Sequence, residues 1–251
     1  MKITAHILAR DEAEIFLYAA RHYTSFCSRV VLHDMGSTDG TLEIAAQFGI
    51  EVRKWDSGDK VDDRVNKNIK ETCWQGTDAD WVICADADEL IYFPDGYKEA
   101  FDAYTAQNIP VVKPHGWEMT SETMPTTAGQ IYDEIKMGGR DDVWYAKPNC
   151  FTPRLVQSIE FGAGAHVCTA ILKDGTTFNN PTVHSTPPAY LLHYHQIGSI
   201  ERIAKKYDRT RSRMCENNIN CNWGNVHESG IKHATDKRNF ILSRLERVIM
   251  A

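Results

Sequence analysis

The chain predicts an α/β fold with a mostly parallel, doubly wound sheet, and three observations lead to this prediction. Apolar runs of strand length alternate with helix-length segments over residues 1–95, as in a parallel sheet with helices on both faces. One of these runs ends abruptly in acids, as does a strand that delivers carboxylates to the edge of a sheet. A length of 251 residues with 42% hydrophobic residues is sufficient for a full core.

The individual elements of this alternating part are predicted in chain order. The second helix shows the reasoning, because Ser37, Thr38 or Asp39 can cap its first turn and Gly49 can end it. The predicted strands are 3–9, 30–34, 50–54, 110–113 and the run that ends at Asp86, and the predicted helices are 11–26, 40–48, 62–75 and 95–107.

The remaining part of the chain has a different pattern. Residues 115–190 carry Trp, Gly, Pro and Thr in irregular order, which predicts a loop region. Leu191–Gln196 alternates as a strand does, and from Ile197 the chain is helical and basic, with a last helix from about Asn225 to Met250. We therefore predict a single domain over 1–251, divided into 1–95, 96–196 and a helical part at 197–251.

The acids follow the apolar segment Trp81 to Ile91, with sequence WVICADADELI. Asp86 and Asp88, at i and i+2 of an extended chain, point to the same side. Two carboxylates there can hold one hard divalent cation, with a nucleotide diphosphate as a further ligand. The pattern predicts a metal-assisted group transferase, and the alternative is an acidic loop after a core strand.

The segments HDMGSTDGT, residues 33–41, and WVICADADELI resemble the two signature segments of family-2-type glycosyltransferases with the GT-A fold. The resemblance covers roughly residues 3 to 95. It implies a Rossmann-like GT-A fold, Mn²⁺ or Mg²⁺ at Asp86 and Asp88, and a nucleotide contact at Asp86. It also implies a nucleoside-diphosphate sugar as donor, a glycan or related acceptor bound by residues 96–196, and transfer with inversion.

Four further residues are candidates for the nucleotide. Asp34 matches the family's acid that binds the nucleoside, and a carboxylate favours a base with an N–H, which together with the short turn beside it favours UDP. Lys67 and Asn68 loosely match the family's Ala-Arg-Asn element, which implies a phosphate contact, and Arg10 follows the first strand. The alternatives are a turn cap for Asp34, a salt bridge for Arg10 and a solvated helix face for the other two.

The late strand carries His193 and His195 on one side. In the family a late histidine completes the metal shell, which implies His195 as a third ligand, with His193 less important. Lys205, with Lys206 and Arg209, can neutralise the leaving diphosphate. The alternatives are satisfied histidines in a core strand and a solvated helix face.

The catalytic base is predicted among polar residues of 115–190. Glu118 lies next to Trp117, which could stack on a sugar ring, and His166 follows a glycine-rich turn. Asp133 and Glu134 are the remaining candidates.

Composition excludes several other classes. The formal charge of −6 with scattered cations argues against a nucleic-acid surface, and no apolar run reaches the ~18 residues of a membrane span. Seven cysteines without CxxC spacing predict reduced thiols and a cytoplasmic location. A nucleotidyltransferase on a similar sheet, a non-catalytic nucleotide-sugar-binding module and a zinc site at His193, His195, Cys215 and Cys221 are the alternatives to a glycosyltransferase.

Overall fold

A computed structural model describes residues 1–56, 58–126, 128–221, 223 and 230–250. The strands are β1 (Ile3–Ala9), β2 (Arg29–Asp34), β3 (Glu51–Lys54), β4 (Trp81–Asp86), β5 (Glu89–Tyr92), β6 (Val111–Val112), β7 (His115–Ser121), β8 (Met137–Arg140), β9 (Cys150–Phe151), β10 (Val156–Phe161), β11 (Cys168–Leu172), β12 (Thr177–Asn179), β13 (Tyr190–Ile197) and β14 (Leu245–Arg247). The helices are α1 (Ala13–Thr24), α2 (Thr41–Gln47), α3 (Asp63–Thr72), α4 (Tyr97–Ala106), α5 (Ile131–Glu134), α6 (Ile200–Ser212), α7 (Glu216–Asn220) and α8 (Gly230–Leu242).

The larger sheet has six strands in the order β3-β2-β1-β4-β9-β6, of which the first four are parallel. Strand β1 pairs with β2 on one side and β4 on the other, so Ala9 lies beside Asp34 and Leu8 beside Asp86. The chain order reverses between β1 and β4, which is the point at which open α/β sheets bind ligands. The predicted α/β class with a largely parallel sheet is confirmed.

A second sheet of five strands, in the order β14-β8-β7-β13-β5, adjoins the first. Strand β13 is parallel to β7 and antiparallel to β5, which places His193 beside Glu118 on one side and Glu89 on the other. Strand β4 belongs to the first sheet and β5 to the second, and Ala87 and Asp88 form the turn between them. This turn therefore brings the carboxyl end of β4 against β13.

The core of the larger sheet consists of apolar strands that are buried along their length. All seven residues of β1 are buried, as are the first five of β4, which is typical of parallel strands covered on both faces. Helix α4 covers β4 through aromatic contacts, with the Phe101 ring centroid 5.0 Å from that of Trp81. Burying a side chain such as Phe101 contributes about 1.5–3 kcal/mol, so this packing holds the beginning of β4 against α4.

The predicted strands and helices up to residue 113 lie within three residues of their observed bounds. The predicted loop region at 115–190 is wrong, because this segment contains β7 to β12. Several of these strands have only two to five residues, and some residues are selected by close backbone approach rather than by alternation. Gly138 in β8 is an example, since a Cβ there would lie 2.9 Å from the Glu118 backbone oxygen of β7.

The predicted helix from about Asn225 to Met250 begins outside the described residues. Its predicted end is wrong, because α8 ends at Leu242 and Leu245–Arg247 pairs with β8 as β14. All seven cysteines are free of disulfides, in agreement with the predicted reduced thiols. Among the described residues, no helix has both the length and the apolar character that a membrane span requires.

Candidate functional site

The turn after β4 sends its two aspartates to different partners. The Asp86 carboxylate lies 2.8 Å from Lys70 Nζ, and its other oxygen lies 3.7 Å from Lys147 Nζ. The Asp88 carboxylate instead contacts His193, His195 and Lys206. The prediction that both carboxylates point to the same side is wrong, because they contact different groups. The chain leaves the extended conformation and forms a turn between them.

The first group, which we name the lysine cluster, comprises Lys70, Lys147, Asp86 and Glu89. Lys147 Nζ lies 2.5 Å from Glu89 Oε1, and the other oxygen of Glu89 accepts a hydrogen bond from the Asp86 backbone. Burial raises the pKa of the Asp86 carboxyl group. The positive charges of Lys70 and then Lys147 lower this pKa by more, so it lies below its usual value. Two carboxylates and two ammonium groups thus neutralise each other, and all of these side chains except that of Asp86, which is 37% exposed, are buried.

The second group, which we name the histidine cluster, comprises Asp88, His193, His195, Glu118, Lys206 and Glu12. One donor atom from each of Asp88, His193 and His195 lies within 4.8 Å of the others. Asp88 Oδ1 is 3.8 Å from His193 Nε2, and Asp88 Oδ2 is 3.4 Å from His195 Nδ1. A carboxylate and two imidazoles are donors that a divalent cation such as Mn²⁺ accepts.

The hydrogen bonds of the two histidines are compatible with this role. His193 Nδ1 lies 2.9 Å from Glu118 Oε2, and because an ionised carboxylate can only accept, Nδ1 carries the proton of the bond. The Nε2 lone pair of neutral His193 then faces Asp88, an arrangement in which a carboxylate orients a metal-binding histidine. His195 Nε2 is buried and has no hydrogen-bond partner among the described residues.

The pKa values of the two rings shift in opposite directions. Burial lowers the pKa of His193, but Glu118 and Asp88 outweigh it and raise the pKa above its usual value. Burial, helped by the charge of Lys206, lowers the pKa of His195 to about 4. In the metal-free protein, His195 is therefore neutral near pH 7, and His193 is the ring that gains a proton most readily.

A cavity of about 690 Å³ adjoins the histidine cluster. Lys206 links the two, because its Nζ lies 2.9 Å from both Asp88 Oδ2 and Glu12 Oε2. The cavity lies between the start of α1 and helix α6, beyond the carboxyl end of β1, and its cationic lining residues are Arg202, Lys205, Lys206 and Arg209. Five acids, Asp11, Glu12, Glu14, Asp39 and Glu201, line the same cavity, and Lys206 and Arg202 already form ion pairs with Glu12 and Glu14.

Lys205 lines this cavity, as predicted for a diphosphate contact, but its neighbour Lys206 is the residue that contacts Asp88. Arg10 forms an ion pair with Asp59. On α3, Lys67 is half-buried and Asn68 is exposed. No contact among the described residues joins either of them to Asp86. Lys70, one turn later, makes that contact from a buried position.

Asp34 caps its own turn. Its two oxygens accept hydrogen bonds from the backbone of Gly36 at 3.2 Å and of Ser37 at 3.0 Å, and the residue is 1% exposed. Of the two interpretations of the sequence, the contacts match the turn cap. The nucleoside contact that the resemblance implies for Asp34 stays a prediction, and it would have to add to the two hydrogen bonds that Asp34 accepts from its own turn.

The two candidate bases have different environments. Glu118 is 1% exposed and lies behind His193, so its position is that of a residue that orients the ring rather than one that meets a substrate. His166 Nδ1 lies 2.7 Å from the Trp144 backbone oxygen, which leaves Nε2 as the acceptor. Burial and the charge of Lys147 lower the pKa of His166 to about 4, so the ring is neutral near pH 7.

Sequence reasoning missed several members of both clusters. Glu12 and Lys70 lie inside the predicted helices 11–26 and 62–75. A charged side chain on the sheet-facing side of either helix was the available signal. Lys147 and Tyr145 lie in the part that was predicted to be loop, and no local pattern marks them. Tyr145 stacks on His193 with ring centroids 4.8 Å apart. The alternative zinc site is not formed, because Cys215 Sγ contacts Asn218 and the histidines face Asp88.

No protein-family model and no curated protein match the chain. Among solved structures, Staphylococcus aureus TarS 1–349 in complex with UDP is similar at 11% identity and a TM-score of 0.45, over 85% of this chain and 65% of that chain. Glucosyl-3-phosphoglycerate synthase from Mycobacterium tuberculosis, in complex with Mn²⁺, UDP and glucosyl-3-phosphoglycerate, is similar at 18% identity and a TM-score of 0.26. That match covers 36% of this chain and 34% of the synthase. The chain thus spans less than two thirds of either structure.

Proposed function

We propose that the protein is a GT-A glycosyltransferase that moves a sugar from a nucleoside-diphosphate donor to a glycan or related acceptor with the help of a divalent metal. The observation that carries the proposal is the position of the histidine cluster. Asp88 lies in the turn directly after β4, at the point where the strand order reverses and ligands of α/β sheets bind, and His193 and His195 of β13 contact it there. The motif resemblance around Asp86 and Asp88 supports the same class of reaction.

The metal would be held by Asp88, His193 and His195, whose donor atoms suit Mn²⁺ or Mg²⁺ to different degrees. Two imidazoles favour Mn²⁺ over Mg²⁺, which prefers oxygen ligands. When bound, such a metal stabilises the negative charge that builds up on a departing diphosphate. Glu118 orients His193 for this role from its buried position.

The chain's own cations would bind the diphosphate from the other side. Lys206, Arg209, Lys205 and Arg202 line the adjoining cavity, and a bound diphosphate would compete with Glu12 and Glu14 for three of them. In the lysine cluster, Lys70 and Lys147 keep Asp86 ionised, so its carboxylate can accept hydrogen bonds from donor hydroxyls.

We retain a UDP-sugar as the expected donor. With Asp34 turned to its own loop, Arg10 and Asp11 at the end of β1 are the nearer candidates for the base.

We propose His166 rather than Glu118 as the acceptor of the proton from the attacking hydroxyl. His166 Nδ1 donates to a backbone oxygen, so Nε2 carries the lone pair that can accept a proton, and the pKa of about 4 keeps the ring unprotonated while making it a weaker base. Glu118 already binds His193 and is fully enclosed. Inversion at the anomeric carbon, which one such base would serve, remains the expected outcome.

The proposal is tested by thermal shift with UDP, GDP, CDP and ADP, each with and without Mn²⁺, followed by hydrolysis and transfer assays with a panel of UDP-sugars. A ligand that binds only the folded state raises its melting temperature. We expect UDP with Mn²⁺ to give the largest rise. Asp88→Asn should abolish the Mn²⁺-dependent part and the turnover while leaving the metal-free melting temperature within a few degrees, and exposed Asp95→Asn is the matched control.

Undiminished turnover in Asp88→Asn or in excess EDTA would remove the metal from the mechanism. Nucleotide binding without any hydrolysis or transfer would favour a non-catalytic binding module instead.

A further inference from the structure

A pair of cysteine thiols lies between the end of α3 and β4, next to the lysine cluster, because Cys84 Sγ also contacts the backbone oxygen of Lys70 at 3.8 Å. Cys73 immediately follows α3 and is half-buried, whereas Cys84 lies within β4 and is fully buried. Their Sγ atoms are 3.8 Å apart. A disulfide requires an S–S distance of about 2.05 Å, so these sulfurs need to approach by less than 2 Å to form a bond.

Two buried histidines adjoin the thiol pair. His6 lies on β1 and His33 on β2, and one ligand atom from each lies within 4.8 Å of Cys73 Sγ. His6 Nδ1 is 3.0 Å from His33 Nε2, and Trp55 Nε1 is 2.9 Å from His33 Nδ1. The half-buried Cys73 thiol therefore lies beside the rings of His33 and His6, which are joined to each other and to Trp55 by hydrogen bonds.

The proton positions along this chain follow from Trp55. Its indole nitrogen can only donate, so His33 Nδ1 accepts and neutral His33 carries its proton on Nε2. That proton is donated to His6 Nδ1, which places the remaining proton of His6 on Nε2. His6 Nε2 is buried and has no hydrogen-bond partner among the described residues. A buried N–H of this kind is stabilised by a nearby anion, and the Cys73 thiolate is the anion that its surroundings offer.

We propose that Cys73 and Cys84 form a reversible redox site, in which Cys73 is the thiolate that reacts with a peroxide and Cys84 is the resolving thiol. Contact with the Cys84 thiol, and then with the rings of His33 and His6, lowers the pKa of Cys73 against the opposing effect of burial. The half-buried position of Cys73 leaves it within reach of a small oxidant, while the buried position of Cys84 restricts it to the second step.

The chemistry needs only hydrogen peroxide as oxidant. The Cys73 thiolate attacks one peroxide oxygen, the O–O bond breaks, and the departing hydroxide takes a proton from solvent to become water. Cys84 Sγ then attacks the sulfur of the resulting Cys73 sulfenic acid. The S–O bond breaks, the Sγ–Sγ bond forms, and the Cys84 proton leaves with hydroxide as a second water. The two sulfurs lose two electrons and the peroxide gains them.

A metal at the same residues is disfavoured by the proton positions. Ligation needs an imidazole lone pair, yet His33 Nε2 and His6 Nε2 both carry protons when Trp55 donates to His33. The lone pair of His6 Nδ1 accepts the proton of His33. The arrangement thus leaves one N–H, that of His6 Nε2, and no free imidazole lone pair for a metal beside Cys73.

The test uses the reduced full-length chain, titrated with hydrogen peroxide, alkylated, and digested without reductant for peptide mass analysis. We expect a Cys73–Cys84 linked peptide with the loss of two hydrogens, reversible by dithiothreitol, to form at least about tenfold faster than oxidation of exposed Cys221. In Cys84→Ser, Cys73 should be trapped by dimedone as the sulfenic acid. In Cys73→Ser, Cys84 should stay unmodified.

Two outcomes would overturn the proposal. One is oxidation of Cys221 or another cysteine while the Cys73 and Cys84 thiols of the wild type stay reduced. The other is stoichiometric protection of Cys73 from alkylation by added Zn²⁺, which would identify a metal site. Both outcomes are measured on the wild-type protein, so neither depends on the folding of a variant.

Discussion

The two aspartates of the turn after β4 are two residues apart, yet the protein compensates their charges in different ways. In the lysine cluster, Asp86 and Glu89 are matched by Lys70 and Lys147, and all four groups are neutralised from within. In the histidine cluster, Asp88, Glu12 and Glu118 face Lys206 and two rings of variable charge. The charges of the first cluster are balanced without a ligand, whereas the second leaves room for a proton or an external cation.

The largest expected effect tests the internal compensation of the lysine cluster. Lys147→Met should lower the free energy of unfolding by about 3–5 kcal/mol, because it leaves the fully buried Glu89 carboxylate without its closest cation. Exposed Lys98→Met, measured by the same urea unfolding, should stay within about 0.5 kcal/mol of wild type. A loss below about 1 kcal/mol for Lys147→Met would mean that Lys70 alone compensates both acids.

The next effect tests the histidine cluster through Glu118. Glu118→Gln keeps the shape of the side chain and an oxygen that accepts from His193 Nδ1, but removes the charge that orients and polarises the ring. We expect about 10- to 100-fold weaker Mn²⁺ binding by calorimetry, as for other residues that support a metal ligand, with exposed Glu43→Gln unchanged. Wild-type Mn²⁺ affinity in Glu118→Gln would place the metal away from His193.

The smallest effect is the pH dependence of the same cluster. His193 has a pKa raised above its ordinary 6.5, so its proton stabilises the metal-free fold below that ordinary value, and this stability is lost as the pH rises through the raised pKa. Mn²⁺ displaces this proton, so its affinity should change oppositely, rising about tenfold per pH unit below the raised pKa and levelling above it. His195, with a pKa of about 4, adds nothing near neutral pH.

Calorimetric titrations from pH 5 to 8, with unfolding measured at the same pH values, check both slopes. In Glu118→Gln the rise in affinity should move to lower pH, since Glu118 contributes most to the raised pKa of His193. Affinity and stability that change in the same direction over this range would contradict the exchange of a proton for the metal.

Local pattern was sufficient for the first half of the fold. The apolar run Trp81–Asp86 and the alternation of β1 to β4 with helices predicted a parallel sheet, because buried parallel strands need continuous apolar residues. The same reasoning placed Asp86, Asp88, His193 and His195 at the ends or along the sides of strands. These predictions depend on periodicity and on where a strand ends, both of which are visible in a few consecutive residues.

The partners of those residues were decided only by the tertiary structure. The Ala87-Asp88 turn between two sheets separates Asp86 from Asp88, and no short pattern marks a change of sheet. Lys206 meets Glu12 across 194 positions of sequence, and Lys147 reaches Glu89 from a segment that local pattern assigned to loop. Asp34 was recognisable as either a ligand contact or a cap, and its buried turn selected the cap. The sequence alone therefore determined which residue types reach the edge of the sheet. Their neighbours were decided by contacts between distant segments, because charge compensation depends on distances in space, which the order of residues along the chain does not give.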